Sequence, residues 1–295
     1  MAQLPDFYSK VNRVTWVVEN IDKVRPAWEA LGLREIERHV NIQLTGHYRG
    51  TPLTAHAWQI TGRLGDLTID MIQPGEGQAN AYTRFLSKHG DGILSVVHEV
   101  PGKQALEKEI ARMQSLGVAV LQQVTWQGTT YTYFDTEAKG KFVLGLVYRE
   151  GGMPGASGSP LVTHLSPVIW DGAAVSAYWE KLGFPAFPMA PVTTGGDARY
   201  QGQPLTLSIA VGWQRHTQYG YEWISPPATP ANVYADFLNR HRREGIQHIG
   251  LSVPDLTRAI ADYAKLGYRV HQSGPYAQMD TDKLGGVSVE LTERR

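Results

Sequence analysis

Apolar and polar positions along the chain switch between a two-residue and a helical period, and the switching recurs in a fixed order. Residues 11–18 form an apolar, β-branched run of strand length. Residues 22–31 then place Val24, Trp28 and Leu31 at helical spacing until Gly32 ends the helix. Strand-like stretches follow at 58–60 and 67–72, set off by Gly65 and Pro74. The chain restarts at 82–86, residues 93–100 read as a strand, and 103–115 as a helix stopped by Gly117. Three further strands end at 141–148. The order is strand, helix and three short strands, twice in this half.

The second half repeats it. Trp28 and Leu31-Gly32 match Trp179 and Leu182-Gly183 at a shift of 151, and Asp70 with Pro74 matches Glu222 with Pro226 at 152. Phe85, Leu86 and His89 match Phe237, Leu238 and His241, again at 152. Gly92-Ile93-Leu94-Ser95 matches Gly245-Ile246-Gln247-His248 at 153, and Asp135, Gly140 and Leu146 match Asp280, Gly285 and Leu291 at 145. Collinear matches with drifting shifts indicate two structural repeats separated by small loop insertions. The segment 151–160 is the most Gly/Pro/Ser-rich, which suits a connector. The expected division is 1–150, a linker at 151–160, and 161–295.

Composition narrows the partners. Formal net charge is zero and the charged fraction 19%, so there is no basic field to hold nucleic acid or an anionic membrane. The chain has no cysteine, which excludes a disulfide framework, a zinc finger and a thiol nucleophile. No stretch approaches the ~18 apolar residues needed to span a bilayer, and a soluble, cytoplasmic protein is expected. Either a monomer or a homodimer is compatible with the internal duplication.

Within the repeat the second half carries His164, Glu222, His248 and Glu290 on strands at equivalent positions, facing one concavity. Two imidazoles and two carboxylates suit divalent Fe, Mn, Co, Ni or Zn. The first half has Arg13, Asp70, Ser95 and Gly145 in their places, a set that cannot chelate a metal. Arg13 and Asp70 are expected to pair across the vacated site. Strand alternation turns Ser166 and Ser288 to the same face as His164 and Glu290, and Tyr276, Tyr200, His216 and Arg215 are candidates to line a substrate pocket.

These four residues, in this order and spacing, resemble the vicinal oxygen chelate superfamily, which includes glyoxalase I, methylmalonyl-CoA epimerase, extradiol dioxygenases, and fosfomycin and bleomycin resistance proteins. The resemblance implies an α+β fold of four βαβββ modules, paired into two domains with cup-shaped mixed sheets. It also implies a metal on the four residues, a small-molecule substrate, and Glu222 or Glu290 as proton acceptor. Two histidines with two glutamates resemble bacterial glyoxalase I, whereas extradiol enzymes use two histidines and one glutamate. Asp280 is followed by Thr281 rather than proline, and residues 274–276 contain no histidine, unlike the extradiol pattern. An isomerase or lyase is therefore the leading expectation. The two-domain plan with a silent first half keeps a ring-cleaving dioxygenase as the alternative. A sequestering protein without turnover is the third reading, its 8 Trp and 14 Tyr supplying stacking surface.

Overall fold

The computed structural model describes residues 4–152, 161–216, 219–241 and 243–294; residues 153–160, most of the expected linker, lie outside them. The first half runs β1 (Arg13–Val17), α1 (Ile21–Ala30), β2 (Leu33–Tyr48), β3 (Thr51–Leu64), β4 (Leu67–Gly77), α2 (Ala81–His89), β5 (Gly92–Glu99), α3 (Lys103–Ser115), β6 (Val120–Trp126), β7 (Thr129–Phe134), α4 (Glu137–Gly140) and β8 (Val143–Arg149). The second runs β9 (Val162–Val168), α5 (Gly172–Lys181), β10 (Ala190–Thr193), β11 (Arg199–Tyr200), β12 (Gln203–Pro204), β13 (Ser208–Arg215), β14 (Gly220–Ser225), α6 (Val233–His241), β15 (Gly245–Val253), α7 (Leu256–Lys265), β16 (Val270–Ser273), β17 (Tyr276–Met279) and β18 (Ser288–Glu293). This is the expected mixed α+β arrangement of four modules. None of its helices is long and apolar enough to cross a membrane.

Local signals recur with the modules. Asn20, Asp171 and Asp255 each accept a hydrogen bond from the backbone N–H three residues on, capping α1, α5 and α7. Two expectations need correction. The strands after α1 are not short, since β2 has 16 residues and β3 has 14. The charged residues of β2, Arg34, Glu35, Glu37 and Arg38, all face solvent, and register shifts beside Glu35 and Asn41, both at positive φ, break its alternation, so an apolar run does not reveal it. The first sheet is also more than a cup. Its strands close into a barrel in the order β1-β4-β3-β2-β6-β7-β8-β5, whereas the second half forms a ten-stranded sheet, β10-β13-β14-β9-β15-β18-β17-β16-β11-β12.

The halves share one apolar core containing Trp16, Trp28, Trp179 and Trp223, all nearly inaccessible. The contact is reciprocal. Trp28 Nε1 donates to the Leu284 carbonyl across the interface at 3.0 Å, and its repeat partner Trp179 donates to the Gly140 carbonyl at 3.2 Å. A Cβ at Gly140 would lie 2.7 Å from the Trp179 ring, and one at Gly285 would lie 2.8 Å from Trp16. The matching Gly140 and Gly285 thus admit the other half's indoles.

The barrel interior is occupied by side chains of its own. Arg13 Nη1 donates to Asp70 Oδ2 at 2.6 Å, with the two side chains 6% and 1% exposed. Thr61 Oγ1 and Gln59 Nε2 donate to Asp70 Oδ1, and Tyr131 donates to Oδ2. Burial opposes the charge of Arg13, but Asp70 beside it outweighs that and holds the guanidinium protonated. At Gly145 a Cβ would meet Ser95 Oγ at 2.6 Å and Val97 at 2.8 Å, so the last ligand position is already filled. The expected Arg13–Asp70 pair is present. Asp70→Ala, which strands a buried cation, should lower the unfolding free energy in urea by about 3–5 kcal/mol, while Arg13→Met with Asp70→Leu should recover most of the loss. A neutral Asp70→Ala would show that the pair is not desolvated.

Candidate metal centre

Strand register assembles the four donors of the second half. Parallel pairing of β14 with β9 sets Gly220 beside His164, which puts Glu222 level with Ser166. Antiparallel pairing of β15 with β9 sets Gly250 opposite His164 and His248 opposite Ser166, and β18 sets Glu290 beside Gly250. All four side chains therefore leave one face. Gly250 is what lets His164 reach the centre: a Cβ there would lie 2.1 Å from the imidazole Cε1 and 2.6 Å from Nε2. The corresponding position in the barrel is Val97, opposite Arg13.

The donor atoms lie within 4.8 Å of one another. The His164 and His248 Nε2 atoms are 3.1 Å apart, Glu222 Oε2 is 3.4 and 3.7 Å from them, and Glu290 oxygens are 3.7 and 3.5 Å away. Atoms each about 2.0–2.2 Å from a shared ion would be separated by such distances. His248 Nδ1 lies 2.6 Å from Gln247 Oε1 and donates to it, which leaves the Nε2 lone pair facing the centre. His164 Nδ1 is likewise 3.0 Å from Thr163 Oγ1. Burial, and for His164 the neighbouring imidazole, lowers the pKa to about 4 for His164 and about 3 for His248. Both rings are neutral at pH 7. Burial and then the Glu222 carboxylate push Glu290 up to about 8, and burial raises Glu222 as well. Two lone pairs and two carboxyl groups, one of them holding its proton, crowd together with no cation among the described residues, so the set fits a divalent cation.

The remaining sequence candidates have mixed fates. Ser166 Oγ donates to the Glu222 carbonyl and fixes backbone, and Ser288 Oγ accepts from Gln247. The Tyr276 hydroxyl bonds Tyr234 and Gln272, on the same side of the cup as Glu290. Tyr200 is tied to Asp236. Arg215 lies 5.2 Å over the ring of Trp213, whose centroid is 5.6 Å from that of His164. His216 does not belong to the cup. Its Nδ1 donates to the Tyr8 carbonyl of the first half, because β13 has ended and the chain has turned into the domain interface.

Sequence reasoning missed Gln247, Gln278, Tyr234 and Trp213. Gln278 Nε2 donates to Glu290 Oε2 at 3.2 Å and lies 3.3 Å from the Tyr234 hydroxyl, so one buried amide steadies the carboxylate. Its one sequence signal is its place two residues from Tyr276, and its pairing with Glu290 appears only in the fold. Trp213 pairs with Glu222 and is 39% exposed at the rim, a position that only the fold reveals.

The family model of the Glyoxalase/Bleomycin resistance protein/Dioxygenase superfamily matches residues 12–134 and again 164–284. No curated protein matches the sequence. Among solved structures, a mutant of 4-hydroxymandelate synthase from Streptomyces coelicolor aligns over 97% of this chain and 92% of its own, at 13% identity and a TM-score of 0.66. A halotolerant catechol dioxygenase aligns over 97% and 87% at 13% identity and 0.50, and the Mn(II)-bound glyoxalase from Novosphingobium aromaticivorans over 97% and 82% at 10% and 0.51. At these identities the likeness is one of fold. With both halves matched by the family model, the chain belongs to the glyoxalase, bleomycin resistance protein and dioxygenase superfamily, the vicinal oxygen chelate proteins.

Proposed function

We propose that the protein is a metal-dependent isomerase or lyase of the glyoxalase or epimerase kind, acting on a small molecule with a carbonyl or vicinal hydroxyl groups. The observation that supports this reading is Glu222, which joins the two histidines and Glu290 as a fourth donor. Four protein donors would leave a bound ion fewer sites for outside oxygens than three would, which suits a substrate held alone better than a substrate held together with dioxygen. A divalent Fe, Mn, Co, Ni or Zn ion held there would stabilise negative charge developing on a substrate oxygen.

The chain's own groups divide the remaining work. His164 and His248 hold their lone pairs inward, and Gln278 anchors Glu290. Glu222 is the most exposed of the four and receives no side-chain hydrogen bond among the described residues, so it is the group placed to accept a proton from substrate carbon. Glu290 is the second candidate. In this reading Tyr276, with Tyr234, and Arg215, with Trp213, orient the substrate. Every donor comes from one chain, so a monomer carries a complete site. A ring-cleaving Fe(II) dioxygenase is the second reading, favoured by the whole-length fold likeness to the catechol dioxygenase and the plan of a silent first half.

Gly250→Ala should displace the His164 ring and weaken Mn²⁺ or Zn²⁺ binding about 10–100-fold, with the far-UV spectrum unchanged; unaltered affinity would remove His164 from the ligand set. Because Glu290 keeps its proton up to about 8 while the imidazoles are already neutral, loading at pH 7 should release a proton. Affinity should then rise with pH and level off above about 8, and pH-independent loading below that point would contradict the assignment. Solvent deuterium should exchange into α-carbonyl compounds and be lost in Glu222→Gln. Oxygen uptake with catechols after anaerobic Fe²⁺ loading would instead establish the second reading, and absence of any bound or bindable divalent ion would remove both enzyme readings.

A further inference from the structure

Between the two halves lies a crevice whose groups serve neither the metal cup nor the shared core. It encloses about 220 Å³ between α2 and α4 on one side and Trp170, Arg243 and Glu244 on the other. Trp170 is 50% exposed, yet its backbone is fixed: its N–H donates to Glu244 Oε1 and its carbonyl accepts from Ser225 Oγ, both at 2.8 Å. A large exposed ring on a fixed backbone is a surface for stacking.

The same crevice is short of negative charge. Arg243 is buried with its guanidinium 4.9 Å from the Phe85 ring and 5.4 Å from the Phe237 ring. Among the described residues its Nε and Nη1 have no hydrogen-bond partner, and Nη2 donates to the Asp91 carbonyl at 3.5 Å. Burial lowers its pKa to about 10, which still leaves it charged at neutral pH. Arg84 and Lys88 both depend on Glu137, at 3.8 and 3.3 Å, and Glu137 also bonds His89 at 2.6 Å. Lys141 and Glu244 satisfy each other at 2.5 Å, and Asp135 faces Arg49 at 4.0 Å. One carboxylate, Glu137, thus serves two surface cations and, with Asp91, acts on the buried Arg243 without hydrogen-bonding it among the described residues. An anion entering the crevice would meet a positive field with low-dielectric walls, where charge acts more strongly than at an open surface.

We propose that this crevice binds a small aromatic anion, with its ring on Trp170 and its phosphate or carboxylate on Arg84 and Lys88, over the charge of Arg243. The ligand would bridge the halves and so stabilise their docking. The proposal is independent of the reaction at the metal cup.

Calorimetric titration of the metal-free, full-length protein with phenyl phosphate tests it, with inorganic phosphate and phenol as the two half-ligands. Phenyl phosphate should bind at one site per chain and more tightly than either half-ligand. Trp170→Ala and the pair Arg84→Gln with Lys88→Gln should each weaken it by about tenfold or more. His248→Ala should leave it unchanged, since it empties only the metal cup. Arg243 is kept, because its removal would vacate the space between two phenyl rings. Absence of phenyl phosphate binding would overturn the proposal, as would equal binding in the crevice variants or its loss in His248→Ala. Inorganic phosphate binding as tightly as phenyl phosphate would remove the aromatic part.

Discussion

The close approach of the His164 imidazole to Gly250, across the seam between β9 and β15, is the constraint on which the rest of the second half depends. Only a position without a side chain lets the ring turn inward over the neighbouring strand. Once it does, the fixed pairing of β14, β15 and β18 brings Glu222, His248 and Glu290 to the same point. The cup is thus a product of sheet register, with each donor on a different strand and none on a flexible loop. Donors carried on paired strands are held more precisely than donors on loops, which suits a site that must accept an ion and keep room for substrate.

The two halves solve one electrostatic problem in opposite ways. A concave sheet face with buried carboxylates needs positive charge. In the first half it comes from within, as the Arg13 guanidinium on Asp70, with Thr61, Gln59 and Tyr131 completing the hydrogen bonds. Val97 and Ser95 then fill what remains, and the barrel closes. In the second half no cation is supplied by the described residues around Glu222 and Glu290, and both imidazoles are neutral. The duplicated frame is common to both, and the difference in chemistry rests on a few substitutions. The first half contributes to packing, since its Trp28 and Gly140 complete the reciprocal contact that joins the halves.

Much of this was legible in the sequence because a duplication prints the same constraint twice. Gly140 and Gly285 read as matched positions before any reason for them was known, and the reason is an indole arriving from the other half. His164, His248 and Glu290 were legible because each sits at a repeat position where its counterpart is a different chemical type, and Glu222, whose counterpart Asp70 is also a carboxylate, was legible by its place beside them in the repeat. What stayed hidden depends on long-range pairing. The 16-residue β2 shows solvent nearly all its charged side chains and so lacks an apolar run. The β11–β12 hairpin is held by pairing to β16, about 70 residues away in the chain, a distance that local pattern cannot bridge. His216 looked like a pocket residue from its place after β13, but the chain turns there and sends it to Tyr8. Gln278 and Trp213 acquire meaning only when their cross-strand partners, Glu290 and Glu222, are known.

The central claim is that one cup of the duplicated pair holds a cation and the other holds none. Anomalous scattering from crystals grown with Mn²⁺ tests it most directly. The account predicts a single strong peak per chain, in contact with His164 Nε2, His248 Nε2 and carboxylate oxygens of Glu222 and Glu290. A peak inside the first-half barrel, or an empty second-half cup in a protein saturated with Mn²⁺, would contradict it.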